Sequence, residues 1–354
     1  FIHLPRGCSI QMERQAQAYV LENIRNTINN KRNLKLKLQD YYLAYPTIDV
    51  KTFFENYHVK AHDVYSKKYT LSSLAAEVGR LDPVDDQAFE RLVANGFLRL
   101  ASANSRRWIK YLLRILLEIK SQQGITDLRL SHVERTMLTM LHYTFWLRGL
   151  DDLEQGFRSI EAAIYAVIKD DAVYNELMGL LEYQYDRIEF VDKPVDLGFE
   201  CPLDLHCSYT LDQILVALGR HTEKKRKHFQ EGVLYLKEKD IDVFFVTLNK
   251  SDKDYSPSTM YRDYAIDEEQ FHWQSQSITS VNSATGQRYI NQSANGNKVL
   301  IFVRDYKKIG SAAAPYTCLG LADYVSHYGS APISIIWRMR QPMPGFVLKE
   351  AATV

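Results

Sequence analysis

Cysteine is scarce in this chain and is too dispersed to form a disulfide framework. The four cysteines are Cys8, Cys201, Cys207 and Cys318, in a chain of 354 residues. With 46% hydrophobic residues, a chain of this length can bury a large core without covalent crosslinks. We therefore predict reduced thiols and a cytoplasmic location.

Long apolar runs are missing as well. The most apolar helical stretch, 111–119, is interrupted by Arg114 and Glu118 and is far shorter than the ~20 residues that span a bilayer. The start, Phe-Ile-His-Leu-Pro-Arg-Gly, lacks the features of a signal peptide. There is no low-complexity tract, and Gly 16 and Pro 10 are modest counts. A folded, soluble protein with no membrane partner is predicted.

Neither sign of charge is in excess. Lys+Arg number 44 and Asp+Glu 43, for a formal net charge of +1. The molecule as a whole is therefore not a polycation. Any grip on a nucleic acid has to come from a local basic patch.

The common catalytic signatures are absent. The chain has no phosphate-binding Gly-x-x-x-x-Gly-Lys-Ser/Thr, no Gly-x-Gly-x-x-Gly, no Gly-x-Ser-x-Gly and no His-Glu-x-x-His. Cys201, His206 and Cys207 lack the close pair spacing of a zinc site. A metal nuclease over 242–250 would need a carboxylate where Leu248 stands. We predict neither a catalytic residue nor a metal ligand.

The first half of the chain has helical periodicity. Apolar residues recur on one helical face in several segments, among them 10–28, 106–119 and 130–147. Thr70 and Asp170 precede two further segments of this kind and can cap them. We predict an all-α connector domain over 9–190. We interpret residue 1 as a cut inside a longer polypeptide. Residues 1–8 would then be the end of an element that lies upstream.

The helical periodicity of the sequence ends after residue 190. Pro194, Gly198 and Pro202 end the helical pattern, so 191–207 is predicted to be a linker. A short helix over 209–218 is followed by β-branched and aromatic runs at 232–236, 243–248, 271–276, 288–292, 299–304, 316–321 and 333–339. Six or seven short strands predict a mostly antiparallel β-barrel over 208–354, and the chain as a whole is predicted to be α+β.

One segment, 247–276, alternates aromatic rings with hydrogen-bonding side chains. The candidates for a base pocket are Asn249, Tyr261, Asp263, Tyr264, Phe271, His272, Trp273, Gln274 and Gln276. Such a mixture suits a nucleobase, since stacking on a ring contributes about 1–3 kcal/mol per base. The sequence leaves an alternative open, in which Phe271 and Trp273 alternate into a core while His272 and Gln274 face water.

Basic residues supply candidates for phosphate contacts. They are Lys224, Lys225, Arg226, Lys227, Lys250, Arg262, Arg288 and Arg304. A phosphate backbone requires several such charges on one face, which a sequence does not show. For the run 224–227, a solvated loop is an equally good interpretation.

Several segments of the second half resemble one protein family. They are Ser-Tyr-Thr-Leu-Asp-Gln-Ile-Leu-Val-Ala-Leu-Gly at 208–219, Phe-Gln-Glu-Gly-Val at 229–233, Phe-Val-Thr-Leu-Asn-Lys-Ser at 245–251, Tyr-Arg-Asp-Tyr-Ala-Ile at 261–266, Phe-His-Trp-Gln-Ser-Gln at 271–276, Gly-Gln-Arg-Tyr-Ile at 286–290 and Phe-Val-Arg at 302–304. They resemble the uncharacterised C-terminal domain of bacterial proteins with a helicase core and, in many cases, a phospholipase-D-type nuclease. That group includes modification-dependent restriction enzymes of the SauUSI type, which use ATP and cut DNA containing 5-methylcytosine.

The resemblance implies that this fragment lacks both the ATPase lobes and the nuclease. The fragment would then not be an enzyme and would need no cofactor, because ATP and Mg²⁺ would act in the missing part. Its partners would be the upstream helicase and nuclease domains and double-stranded DNA with modified cytosine. Base flipping by a barrel of the SRA or PUA-like class is the expected mode of recognition.

The same hypothesis assigns roles to seven of the nine pocket candidates, all except His272 and Gln276. Tyr261, Tyr264 and Trp273 would sandwich the flipped cytosine, and Asp263 would accept a hydrogen bond from its exocyclic amine. Gln274 or Asn249 would hold the ring edge, and Phe271 would contact the methyl group. Two alternatives remain: a structural or homodimerising region that docks on the helicase lobes, and a cryptic nuclease, which the missing acidic triad disfavours.

Overall fold

The chain combines a helical N-terminal part with a sheet-containing C-terminal part, as predicted for an α+β protein. The architecture comes from a computed structural model. It describes residues 20, 23–24, 27–83, 86–124, 128–249, 263–309 and 312–348.

The helical part packs its elements around one apolar core. Its helices are α1 (Lys31–Ala44), α2 (Val50–Asn56), α3 (Ala61–Tyr65), α4 (Leu71–Glu77), α5 (Gln87–Leu100), α6 (Arg106–Ser121), α7 (His132–Trp146), α8 (Ile160–Ile168) and α9 (Asp171–Asp186). Among the described residues, none of these or the later helices combines the length and the hydropathy that a membrane crossing requires.

The two helix caps predicted from the sequence are confirmed. Thr70 accepts a hydrogen bond from the backbone N–H of Ser73, and Asp170 accepts from those of Ala172 and Val173. Each satisfies N–H groups that the first turn of a helix leaves without partners. Most of the helix predicted over 10–28 lies outside the described residues.

The C-terminal part is built on one mixed sheet. Its strands are β1 (Ser208–Tyr209), β2 (Val233–Leu236), β3 (Ile241–Thr247), β4 (Tyr264–Ala265), β5 (Gln270–Gln274), β6 (Lys298–Arg304), β9 (Tyr316–Tyr328) and β10 (Ser334–Met339). Their order is β2-β3-β6-β9-β10-β5-β4, with β1 also paired to β9. The β3–β6 pair is parallel and the other pairs are antiparallel. A separate hairpin consists of β7 (Lys308–Ile309) and β8 (Ala312–Ala313).

In the described part of the chain, four helices accompany this sheet. They are α10 (Leu211–Ala217), α11 (Ala284–Ile290), α12 (Gln292–Asn295) and α13 (Gly345–Leu348). The strand predicted over 288–292 is therefore wrong. Ser283 caps α11 by accepting from the backbone N–H of Gly286, and a segment as short as 288–292 fits one helical turn as well as a strand.

The predicted barrel is also wrong, because the sheet stays open across its described strands. At one edge β2 pairs with β3, at the other β4 pairs with β5, and the two edges are not joined. The parallel β3–β6 pair needs a crossover, and the described part of that connection contains β4, β5 and two helices. The inserted strands β5 and β4 extend the sheet beyond β10.

Both faces of the central strands are buried. Val243 and Phe245 of β3 face a core that is continuous with the helical part. Phe244 and Val246, which alternate with them, face a second core that lies within the C-terminal part. This explains why β3 is an almost uninterrupted apolar run.

Polar contacts join the predicted linker and α10 to the helical part. The buried Asp204 accepts a hydrogen bond of 2.7 Å from Ser105 Oγ and pairs with Arg107 at 2.9 Å. Gln213 of α10 donates to Thr144 Oγ1 over 2.9 Å. The domain boundaries placed around 191–207 stay a prediction.

Candidate nucleic-acid interface

Two of the predicted base-stacking residues lie inside the fold. Phe271 is fully buried and Trp273 is only 4% exposed. The ring of Trp273 stacks on Phe244, with the centroids 4.0 Å apart and the planes 7° from parallel. Strand alternation points both rings into the second core. The roles given to Trp273 and Phe271 in a base slot therefore do not fit this structure.

The opposite face of β5 carries a different aromatic group. The half-buried Tyr264 of β4 stacks on the imidazole of His272, with the ring centroids 4.7 Å apart. His272 Nε2 lies 3.0 Å from the hydroxyl of Tyr328, whose residue is 58% exposed. His272 is thus buried between two tyrosines and does not face water, contrary to the alternative that the sequence left open. We call Tyr264, His272 and Tyr328 the aromatic cluster.

Two of the predicted polar residues flank the aromatic cluster. Asp263 Oδ1 accepts a hydrogen bond of 2.9 Å from the backbone N–H of Gln274. The side-chain amide of Gln274 donates to Ser334 Oγ over 3.2 Å. These bonds fix the carboxylate and the amide beside the edge strand β4. A carboxylate and an amide are both groups that can form hydrogen bonds with a nucleobase edge.

Other pocket candidates lie elsewhere or outside the description. Asn249 follows β3, four places from β5 in the strand order, and its backbone N–H donates to Asp305 O over 2.8 Å. Gln276 lies in the turn after β5, where its carbonyl accepts from Thr279 N over 2.9 Å. Tyr261, together with the phosphate candidates Lys250 and Arg262, lies outside the described residues.

Tyr328 is a member of the aromatic cluster that the sequence did not reveal. It lies at the end of β9, and the pairing of Ser334 of β10 with both Tyr328 and Gln274 places it one strand away from β5, across β10. No sequence signal could have found it, since 56 positions separate it from His272. Only the strand order makes them neighbours.

Arg288 has a structural role that conflicts with the predicted phosphate contact. Its guanidinium donates two hydrogen bonds of 2.8 Å to the carboxylate of Asp242, and it lies 3.7 Å above the ring of Tyr235. Asp242 is fully buried. Burial raises the pKa of Asp242, although the hydrogen bonds from Arg288 act in the opposite direction. An arginine that neutralises a buried carboxylate is not available to a DNA phosphate.

Arg226 and Arg304 are also engaged within the protein. Arg226 Nε donates to Asp212 Oδ1 over 2.7 Å, and Arg304 Nε donates to Thr247 Oγ1 over 2.9 Å. The guanidinium of Arg304 also lies 4.4 Å from the centroid of the Tyr316 ring. Both are therefore weaker candidates for phosphate contacts than the sequence indicated.

Three predicted phosphate residues do project freely. Lys224, Lys225 and Lys227 are exposed, and none makes an ion pair with a described residue. Their backbone is anchored, because Asp151 N donates to Lys224 O over 3.0 Å. Gly149 permits this approach, since a Cβ there would lie 2.1 Å from Lys224 O. We call residues 222–227 the basic loop.

The grouping nearest to a metal site within the described ranges is Asp192, Asp204 and Cys207. Both of its carboxylates already have partners within the protein. Asp192 accepts from the backbone N–H groups of Arg106 and Arg107, at 3.0 and 2.5 Å, and Asp204 pairs with Arg107. Burial raises the pKa of the Cys207 thiol, which disfavours the thiolate that a metal needs.

Comparison with known proteins gives a family match for the second half of the chain. No curated protein matches the chain. Residues 203–350 match a family described as "Domain of unknown function (DUF3427)". The matched range contains the sheet, the aromatic cluster and the basic loop. The sheet-containing part is thus similar to a family of uncharacterised domains, which confirms the coarser part of the resemblance.

Proposed function

We propose that this chain is the DNA-binding, target-recognition segment of an ATP-dependent, modification-dependent restriction enzyme. The observation that carries the proposal is the aromatic cluster beside Asp263 and Gln274, at the open edge of the sheet. The resemblance of the second half to SauUSI-type enzymes names the ligand: double-stranded DNA with 5-methylcytosine or a similar modified base.

Recognition would involve a base turned out of the duplex. Tyr264 would stack on the base, with His272 holding the ring of Tyr264 from behind. Asp263 would accept from the exocyclic amine of cytosine, and Gln274 would bond the ring edge. Extrusion costs a few kcal/mol, and stacking at about 1–3 kcal/mol plus two hydrogen bonds is of the order needed to offset it. Tyr261 remains a candidate for the second ring.

The phosphate backbone would be bound by the lysines of the basic loop. Lys224, Lys225 and Lys227 carry charge that no described carboxylate neutralises. Each contact with a phosphate releases condensed counterions, so binding should weaken as salt is added. The motor, the nuclease, ATP and Mg²⁺ would belong to other domains of the same cytoplasmic polypeptide.

Fluorescence anisotropy with fully methylated and unmodified duplexes tests this proposal. The chain is expected to bind the methylated duplex more tightly, with an affinity that falls as salt rises. Tyr264→Ala is expected to weaken binding of the methylated duplex by 10-fold to 100-fold, in line with about 1–3 kcal/mol of stacking. Tyr264→Phe should retain the affinity, because phenylalanine keeps the stacking face.

Tyr45→Ala is the matched control, since Tyr45 is an exposed tyrosine in the helical part. Equal affinity of the wild type for both duplexes would contradict the selection of modified cytosine. Binding that does not depend on salt, or no binding, would contradict the DNA-binding function itself.

A homodimerising role is the second candidate, and exposed apolar side chains on α1 favour it. Leu36 is 54% exposed and Leu43 is 81% exposed. For this function we expect sedimentation velocity to show a concentration-dependent dimer, which the double variant Leu36→Lys/Leu43→Lys converts to a monomer. A wild-type chain that stays monomeric at all concentrations would eliminate this candidate.

A further inference from the structure

A cleft of about 390 Å³ separates the helical part from the β7–β8 hairpin. Lys60 and His62 lie at the start of α3, Arg99 lies near the end of α5, and Arg187 follows α9. Ile309, Ala312 and Ala313 line it from the hairpin. Among the described residues that line the cleft, Lys60, Arg99 and Arg187 are cationic, His62 is a fourth basic residue, and none is acidic. The cleft is therefore a local concentration of positive charge on a chain of formal net charge +1.

Arg99 is the most enclosed of these cations. Its Nη1 donates a hydrogen bond of 2.7 Å to the carbonyl of Thr144, and burial lowers its pKa. The carboxylate whose charge opposes that shift is Asp212, which already binds His221 and Arg226. Arg99 makes no ion pair with a carboxylate of the described residues, and a partly desolvated cation of this kind gains stability from an added anion.

Arg187 and Lys60 are exposed on the walls of the cleft and make no ion pair with a described residue. The guanidinium of Arg187 lies 5.1 Å from the centroid of the Tyr183 ring, and its Nη1 donates to the Tyr183 hydroxyl over 3.1 Å. This contact orients the guanidinium and leaves donors for an anion. A guanidinium group can donate two parallel hydrogen bonds to the oxygens of one phosphate.

The cleft lies close to the basic loop along one short helix. Thr210, which lines the cleft, caps α10, and the basic loop follows the other end of that helix. A helix of 7 residues is about 10 Å long, which corresponds to about three base steps along one DNA strand. One backbone could therefore contact both.

We propose that this cleft binds the phosphodiester backbone of DNA, as a second contact that extends the path begun at the basic loop. The inference rests on the proposed DNA-binding function. Ser102, Thr210 and Gln184 add neutral polar side chains to the lining, which suits the sugar–phosphate chain. The contact carries no base information, because phosphate groups are the same at every base pair.

The test uses charge reversal at the two exposed cations. The double variant Lys60→Glu/Arg187→Glu is expected to bind methylated and unmodified duplexes at least tenfold more weakly. The slope of log affinity against log salt should fall by about 2, since each lost phosphate contact removes about 0.9. The ratio of the two affinities should not change. The melting temperature should fall by only a few degrees, because neither side chain makes an ion pair with a described residue and Arg187 loses only its contact with Tyr183.

Lys110→Glu is the matched control, since Lys110 is exposed, makes no ion pair with a described residue and does not line the cleft. In this variant, the slope of log affinity against log salt should differ from that of the wild type by less than about 0.5. Wild-type affinity and slope in the double variant, with selective binding intact in the wild type, would overturn the cleft proposal alone. Loss of salt-dependent binding in the wild type would instead overturn the proposed function.

Inorganic phosphate distinguishes a backbone from a free anion. If phosphate at millimolar concentration raises the melting temperature of the wild type but not of the double variant, while DNA affinity is equal in both, the cleft holds a free anion and the proposal is wrong. Weakened DNA binding in the double variant, with phosphate as a competitor of duplex binding to the wild type, supports the backbone contact.

Discussion

Trp273→Ala is expected to lower the free energy of unfolding by about 3–5 kcal/mol, as for other large aromatic residues removed from cores. The Trp273 ring is 4% exposed and stacks on Phe244 at 4.0 Å between centroids, with Tyr289 against its edge. Truncation removes this packing and leaves a cavity. Urea unfolding at neutral pH measures the change.

Trp273→Phe separates this structural role from a role in binding. Phenylalanine keeps a ring against Phe244, so we expect a smaller loss of stability and wild-type affinity for the methylated duplex. A folded Trp273→Phe protein that loses methyl-dependent binding would show that Trp273 does contact the base. Tyr264→Ala should give the opposite result, with weaker DNA binding and little change in stability.

Arg288→Met is expected to destabilise the protein by about 3–5 kcal/mol at neutral pH, because it leaves a buried carboxylate without its counterion. The two hydrogen bonds of 2.8 Å that Arg288 donates to Asp242 are lost, while Asp242 stays fully buried. The double variant Asp242→Leu/Arg288→Met should recover much of the loss. Arg338→Met, at an exposed arginine of β10, should change stability by less than about 0.5 kcal/mol.

The destabilisation by Arg288→Met should depend on pH in a defined direction. Burial raises the pKa of Asp242 above its ordinary 3.8, so the native state retains this proton over a range where the unfolded chain has released it. Stability linked to Asp242 is therefore full below 3.8 and is lost as pH rises through the folded pKa. The hydrogen bonds from Arg288 lower the pKa of Asp242 in the folded protein. Without Arg288, folded Asp242 therefore keeps its proton to a higher pH.

Urea unfolding near pH 4 and near pH 7 checks this dependence. The difference between wild type and Arg288→Met should shrink at the lower pH, because a protonated Asp242 no longer needs a counterion. An equal difference at both values would mean that Arg288 acts by packing over Tyr235 and not by charge. The double variant with Asp242→Leu should lose the pH dependence.

Local structure followed from the sequence where one segment contains all the groups involved. Thr70 and Asp170 cap their helices through bonds that reach three residues at most, and β5 forms within the aromatic run that was predicted to be a strand. The prediction of a strand over 288–292 was wrong because a segment of a few residues is too short for its periodicity to distinguish a helix from a strand.

The candidate site could be located but not assembled from the sequence. Within the described part of the block 261–276, Tyr264, Asp263 and Gln274 lie together, while the functional role of this block stays a prediction. The sequence did not decide which rings face out. Strand pairing brings Tyr328 into the aromatic cluster. Arg288 binds Asp242, which is 46 positions away in the sequence, and is therefore not available for a phosphate.

By itself, the sequence determined the α+β class, the helix caps and the position of the strongest aromatic and polar segment, because periodicity and capping act over a few neighbouring residues. Only the tertiary structure decided that the sheet stays open, that Trp273 is core, and that Lys60, Arg99 and Arg187 face one cleft. The physical reason is that burial and charge pairing depend on contacts between segments far apart in the chain, and such contacts leave no local pattern.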